Sequence, residues 1–118
     1  MYISIMNEQQ QLFRGSLATI ILKLLKDVEE MYGYEITKKV KEITNGQLVI
    51  TEGALYPTLH KLEAEGLLSI RTMLVENRQR KYYSITTSGK QETTKRLQQM
   101  QAYIEQMHTI LHLKPSIS

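Results

Sequence analysis

The chain has 118 residues, 42% of them hydrophobic and 23% charged. That is the length of a single domain with an ordinary globular balance, which excludes wholesale disorder. It contains no cysteine, which excludes disulfide scaffolds, thiolate zinc sites and cysteine nucleophiles together.

Fifteen Lys and Arg against twelve Asp and Glu give a net charge of +3. This excess permits a polyanionic partner without demanding one. The longest apolar run, Ala18 to Leu25, is broken by Thr19 and Lys23 and is far short of the ~20 residues of a membrane span. The N-terminal MYISIMNEQQQ lacks a basic stretch followed by an apolar core, so no signal peptide is expected. These absences together point to the cytoplasm.

Leu17, Ile20, Ile21, Leu24, Leu25 and Val28 recur at helical spacing and predict a wide apolar helix face. The helix is expected from Glu8 to near Asp27, with Leu12 and Phe13 extending it. Glu29 to Tyr32 reads as a connection. Gly33 opens a second helix with Glu35 in its first turn, where a carboxylate suits the positive end of the dipole. Ile36, Val40 and Ile43 form its apolar face, and Asn45-Gly46 stops it because both tolerate a left-handed backbone.

Gln47 to Ile50 reads as a brief extended piece. Thr51 can cap a third helix with the stripe Leu55, Leu59 and Leu62, ended by Gly66. Pro57 is tolerable there if it falls within about the first turn. The period then changes. Leu68, Ile70 and Thr72 alternate with polar residues, as do Tyr83 and Ile85, which predicts two strands. Glu76 to Gln79 connects them, giving a hairpin with a basic tip of Arg71, Arg78, Arg80 and Lys81. Thr86 or Thr87 caps a long last helix, which Pro115 ends. Its apolar positions Leu97, Met100, Ile104, Met107 and Leu111 follow a 3-4-3-4 seam, widened by Tyr103 and Ile110.

The residues offer little to an enzyme. Asp27 is the only aspartate, no G-x-S-x-G elbow is present, and the glycines stand singly, without a phosphate-cradling loop. Glu105, His108 and His112 are spaced one helical turn apart and have ligand chemistry. They read better as the polar flank of the seam, so no metal and no cofactor are expected.

Helix, helix, helix, hairpin, helix is the order of a winged helix-turn-helix. The fold class is therefore mainly α (α+β). Residues 1–86 are expected to form the DNA-binding unit and residues 87–114 the dimerisation helix. A protein-interaction module without DNA binding shares the same element order, and salt-dependent binding to a duplex separates the two.

LFRGSL at 12–17, YGYEI at 32–36, TEGALYPTLHKLEAEGLL at 51–68 and RKYYSIT at 80–86 resemble the PadR family of bacterial transcriptional regulators. The combination G-x-LYP-x-L-x-x-LE-x-x-GL followed by R-K-Y-Y is specific, and the resemblance spans residues 12 to 112. The single C-terminal helix is similar to that of the compact PadR subfamily. The resemblance implies a homodimer joined through the C-terminal helix with help from the N-terminal one. It also implies repression at an operator with partial two-fold symmetry and, in many members, release by a small aromatic or phenolic effector.

On that reading Thr51, Glu52, Gly53 and Ala54 form the leading edge of the recognition helix, followed by Tyr56, His60 and Lys61. The hydroxyl of Tyr56 either donates to a phosphate or packs. Tyr34 is a phosphate donor joined by Lys38, whereas Tyr32 packs. Arg78, Arg80 and Lys81 carry the electrostatic attraction of the wing. Tyr82 and Tyr83 lie on opposite faces, one packed and one outward. Leu12, Phe13, Leu97, Met100, Tyr103, Ile104, Met107 and Leu111 either join protomers or line an effector pocket. Drug-binding relatives place a tryptophan in the last helix, and this chain has none.

Overall fold

The computed structural model describes residues 13–114. Leu12 and Pro115, both invoked above, lie outside that range. The elements are α1 (Leu17–Asp27), β1 (Met31–Tyr32), α2 (Gly33–Ile43), α3 (Glu52–Ala64), β2 (Leu68–Val75), β3 (Arg78–Ile85) and α4 (Thr87–Leu111). The sheet is antiparallel in the order β1-β3-β2.

The apolar stripes predicted from spacing converge on one core. Leu17, Ile21, Leu22 and Leu25 of α1 meet Ile36 and Val40 of α2, Leu55, Leu59 and Leu62 of α3, and Leu68 and Tyr83 of the sheet. Each fully buried aliphatic side chain stabilises this arrangement by about 1.5–3 kcal/mol relative to exposure. Ile43 departs from expectation. It sits in the last turn of α2, rotated off the core, and is 63% exposed.

The first helix is not continuous. Phe13 and Arg14 are helical, Gly15 and Ser16 turn, and α1 begins anew at Leu17. Glycine and serine are poor helix formers, and the Ser16 amide bonds back to the Phe13 carbonyl at 2.9 Å.

Helices α2 and α3 end alike. Asn45 and Gly46 take φ of 53° and 81°, and Gly66 takes 78°. The Gly46 amide reaches Lys41 O at 2.7 Å, and the Leu67 amide reaches Leu62 O at 2.9 Å. These six-to-one bonds satisfy carbonyls that the helix itself leaves open. Thr51 caps α3 by accepting from the Ala54 amide at 3.3 Å. Pro57 stands in the second turn of α3, later than anticipated, so the rung to the Gly53 carbonyl is missing.

The hairpin is longer than its alternation indicated. Its turn is only Glu76-Asn77, with φ of 52° and 64°. Two left-handed residues match the twist of the flanking strands, so pairing runs up to the turn. Arg78 therefore opposes Val75 inside the ladder, and Arg71 opposes Tyr82, well away from the tip. Between Ile43 and Glu52 the chain is irregular, anchored by buried Ile50.

Thr86, not Thr87, caps α4. Its Oγ1 accepts from the Gly89 amide at 3.0 Å and donates to Gly66 O at 2.7 Å. Gly89 and Thr93 are buried, so the first turns of α4 pack into the core. A Cβ on Gly89 would overlap the Leu67 carbonyl oxygen and lie 2.6 Å from the Ile85 side chain. Farther along, Tyr103, Ile104, Ile110 and Leu111 are exposed. Helix α4 ends at Leu111, before Pro115, because His112 turns left-handed at φ 55°.

Candidate nucleic-acid interface

Helices α2 and α3 with the segment between them make the helix-turn-helix, and β2–β3 makes the wing. The two frame a cleft of about 850 Å³. Tyr56 and His60 line it from α3, Gly33 and Tyr34 from the start of α2, and Arg78, Arg80 and Lys81 from the wing. The fold thus gathers six of the expected DNA-binding residues around one opening. Tyr34 is 62% exposed and also borders a groove beside Lys38 and Lys41. Lys38 joins the site through Tyr34 and does not line the cleft itself. The cap Thr51 and, on α3, Glu52, Gly53 and Lys61 are exposed but outside the cleft.

Tyr56 is 38% exposed, and its hydroxyl rests on the Gly33 backbone. It both packs and reaches solvent, so its two readings are compatible. Tyr83 lies beneath, 1% exposed, and burial pushes its hydroxyl pKa up. Tyr82 is on the other face of β3, as expected, but it is not simply outward. Its ring meets Tyr32 edge-on at 5.6 Å and carries the Arg71 guanidinium at 5.0 Å.

The wing cations are not equivalent. Arg71 is paired with Glu30, its Nε donating to Oε2 at 3.2 Å. That hydrogen bond holds the Glu30 carboxyl below the usual carboxylate range, so the pair stays charged and mutually neutralised. Arg80 lies over the Tyr32 ring, 4.1 Å from its centre. Arg78 and Lys81 are exposed and make neither an ion pair nor a cation–π contact among the described residues.

Strand β1 and the ring cluster built on it are absent from the sequence-based expectation. Tyr32 and Tyr82 pair across β1 and β3, and this register was the missing information. A signal did exist. A two-residue turn at 76–77 sets each wing residue opposite its mirror image, which puts Arg71 against Tyr82.

Phe13, Leu97 and Met100 share an apolar groove of about 410 Å³ with Ile20, Leu24 and Ile43. Tyr103 does not line it. That ring borders a more polar groove with Arg96 and Glu92, which Met100 also lines, so Met100 stands between the two grooves. Ile104, Met107 and Leu111 line neither groove. Among the described residues no group of three or more His, Asp or Glu could hold a metal ion, and no helix is long and apolar enough to cross a membrane.

Residues 21–95 match the model of the transcriptional regulator PadR-like family. The chain belongs to the PadR family. It is 38% identical over 73 residues to the negative transcriptional regulator PadR of Bacillus subtilis. That match covers 61% of this chain and 40% of the longer relative. A transcriptional regulator from Clostridium thermocellum superposes with a TM-score of 0.73 at 30% identity, over 89% of this chain and 99% of its own. A PadR-family transcriptional regulator from Eggerthella lenta gives 0.77 at 27% identity, over 89% of each chain. As a PadR-family member the protein is a DNA-binding transcription factor, not an enzyme, and the winged-helix architecture is that of its solved relatives.

Proposed function

We propose that the protein is a homodimeric repressor acting in the cytoplasm on a pseudo-palindromic operator. The observation that carries this is the cleft between α3 and the wing, lined together by the exposed tyrosines Tyr34 and Tyr56 and the cations Arg78 and Lys81. Hydroxyls and cations at one opening suit a phosphate backbone, and the exposed start of α3, from Thr51 to Gly53, is placed to read base edges. Residues 1–86 serve as the DNA-binding unit and 87–114 as the dimerisation helix.

Dimerisation rests on the distal half of α4. Tyr103, Ile104, Ile110 and Leu111 form an exposed apolar strip that a second copy would cover. A two-fold pair sets the recognition helices about one DNA turn, roughly 34 Å, apart. The effector, a small aromatic compound, enters the groove between Phe13, Leu97 and Met100 and releases DNA by changing the angle of α4.

Footprinting on DNA flanking the protein's own gene tests the reading. A protected site with two related halves one turn apart is expected. Binding that is equal on all duplexes would refute an operator. A panel of phenolic acids and planar dyes, scored for operator release, tests the effector. Release is expected in wild type and in Tyr103→Ala, but not in Met100→Trp, where the added ring fills the groove.

A further inference from the structure

One face of the small sheet is core, and the other carries a chain of alternating charges and rings. Glu30 pairs with Arg71, and Arg71 lies over Tyr82. Tyr82 meets Tyr32 edge-on, and Tyr32 lies under Arg80. Tyr32 also stacks on Tyr34 at 6.3 Å and is the residue that precedes the first turn of α2. Its amide is held by the Glu35 carboxylate at 3.0 Å. The Arg80 side chain therefore connects the wing strand to the fixed start of the helix-turn-helix. Arg80 is half-buried, unlike Arg78 and Lys81 on either side of it.

A phosphate contact and a structural clamp make different demands on an arginine. The first needs charge near the DNA, and a lysine serves almost as well. The second is served best by a flat guanidinium, which both stacks on a ring and is attracted to it, whereas a lysine ammonium keeps only the attraction.

We propose that Arg80 is a positioning residue for DNA binding: stacked on Tyr32, it fixes the angle between the wing and the recognition helix and leaves phosphate contact to Arg78 and Lys81. The inference deepens the proposed function and rests on the cleft being the DNA interface.

Salt dependence separates the roles, because each phosphate contact contributes about 0.9 to the slope of log K against log salt. Arg78→Ala and Lys81→Ala are each expected to lower the slope by about 0.9. Arg80→Ala is expected to weaken operator binding about two- to fivefold with the slope unchanged. Arg80→Lys should fall between wild type and Arg80→Ala despite keeping its charge, because it loses the stacking and keeps part of the attraction to the ring. Tyr32→Phe should match wild type, while Tyr32→Leu should reproduce Arg80→Ala, and the double variant should be no worse than either single one.

Amide hydrogen exchange on the free protein supplies a readout independent of DNA. Arg80→Ala and Tyr32→Leu should speed exchange in the wing and leave α1 and α3 protected, which also shows that the variants fold. A slope loss of about 0.9 in Arg80→Ala would make Arg80 an ordinary phosphate contact. Unaltered wing exchange in both variants would remove the clamp. If wild type bound no duplex at all, the DNA reading itself would fall, and the exchange comparison would still decide the clamp.

Discussion

The Tyr56 hydroxyl oxygen occupies the space that a side chain on Gly33 would need, 2.5 Å from where its Cβ would stand. The recognition helix and the first residue of α2 thus meet through a ring laid on bare backbone. This contact requires glycine at 33 for space, not for a left-handed backbone.

Gly33→Ala should therefore displace Tyr56 and cost about 1–3 kcal/mol, the usual range for overpacking. Thermal denaturation measures the loss. Tyr56→Leu in the same chain should restore most of it by removing the ring. Equal melting of the single and double variants would show that the clash is relieved elsewhere.

Gly66 offers a contrasting case. Nothing lies within 4 Å of where its Cβ would be, yet its φ is 78°. Gly66→Ala should cost about 1–2 kcal/mol from backbone strain alone. Gly53→Ala, in an equally open site inside α3, should instead be neutral or slightly stabilising by helix propensity. Denaturant midpoints of the two variants should move in opposite directions or differ clearly.

Tyr83 predicts an alkaline weakness. Burial keeps its hydroxyl protonated above the ordinary value of 10.0. From about pH 10 up to that raised value, the unfolded chain has lost this proton while the folded chain retains it. Unfolding then releases a proton, so stability is full below pH 10 and declines as pH rises through this window. Tyrosinate absorbance should show one of the seven tyrosines titrating last and together with unfolding. Tyr83→Phe should abolish that late step and flatten the decline.

Ile104 tests the assembly. It is 46% exposed in the single chain, where a charge would be harmless. Beneath a second copy, the carboxylate of Ile104→Glu would be buried unpaired at a cost of several kcal/mol. Sedimentation should show monomers with an unchanged circular dichroism spectrum, and operator binding should fall with the dimer. A persistent dimer would move the interface away from this strip.

The element order was legible because each long element obeys its own period, and the stops at Asn45-Gly46 and Gly66 are encoded by residues that accept a positive φ. Strand β1 was not, since two residues show no alternation and owe their pairing to β3, fifty residues away. The wing turn was hidden for a different reason: Glu76 takes a left-handed backbone that its residue type rarely adopts. In the site, the placing of Tyr82 and Tyr83 on opposite faces followed from alternation, and which of them is buried came from the fold. The engagement of Arg71 and Arg80 did not, because a count of basic residues says nothing about which of them already has a partner.

A single hydroxyl, that of Thr86, binds the start of α4 and the end of α3 at once. Gly89 seats the helix on the Leu67 carbonyl with no room between them. At about 1.5 Å per residue, α4 is roughly 37 Å long. Its first turn is fixed to the heel of the recognition helix, and its next turns lie along α1. The end of α3 and the root of the wing at Ile85 are thus fastened to the same first turn of α4, so one anchor serves both elements that frame the cleft.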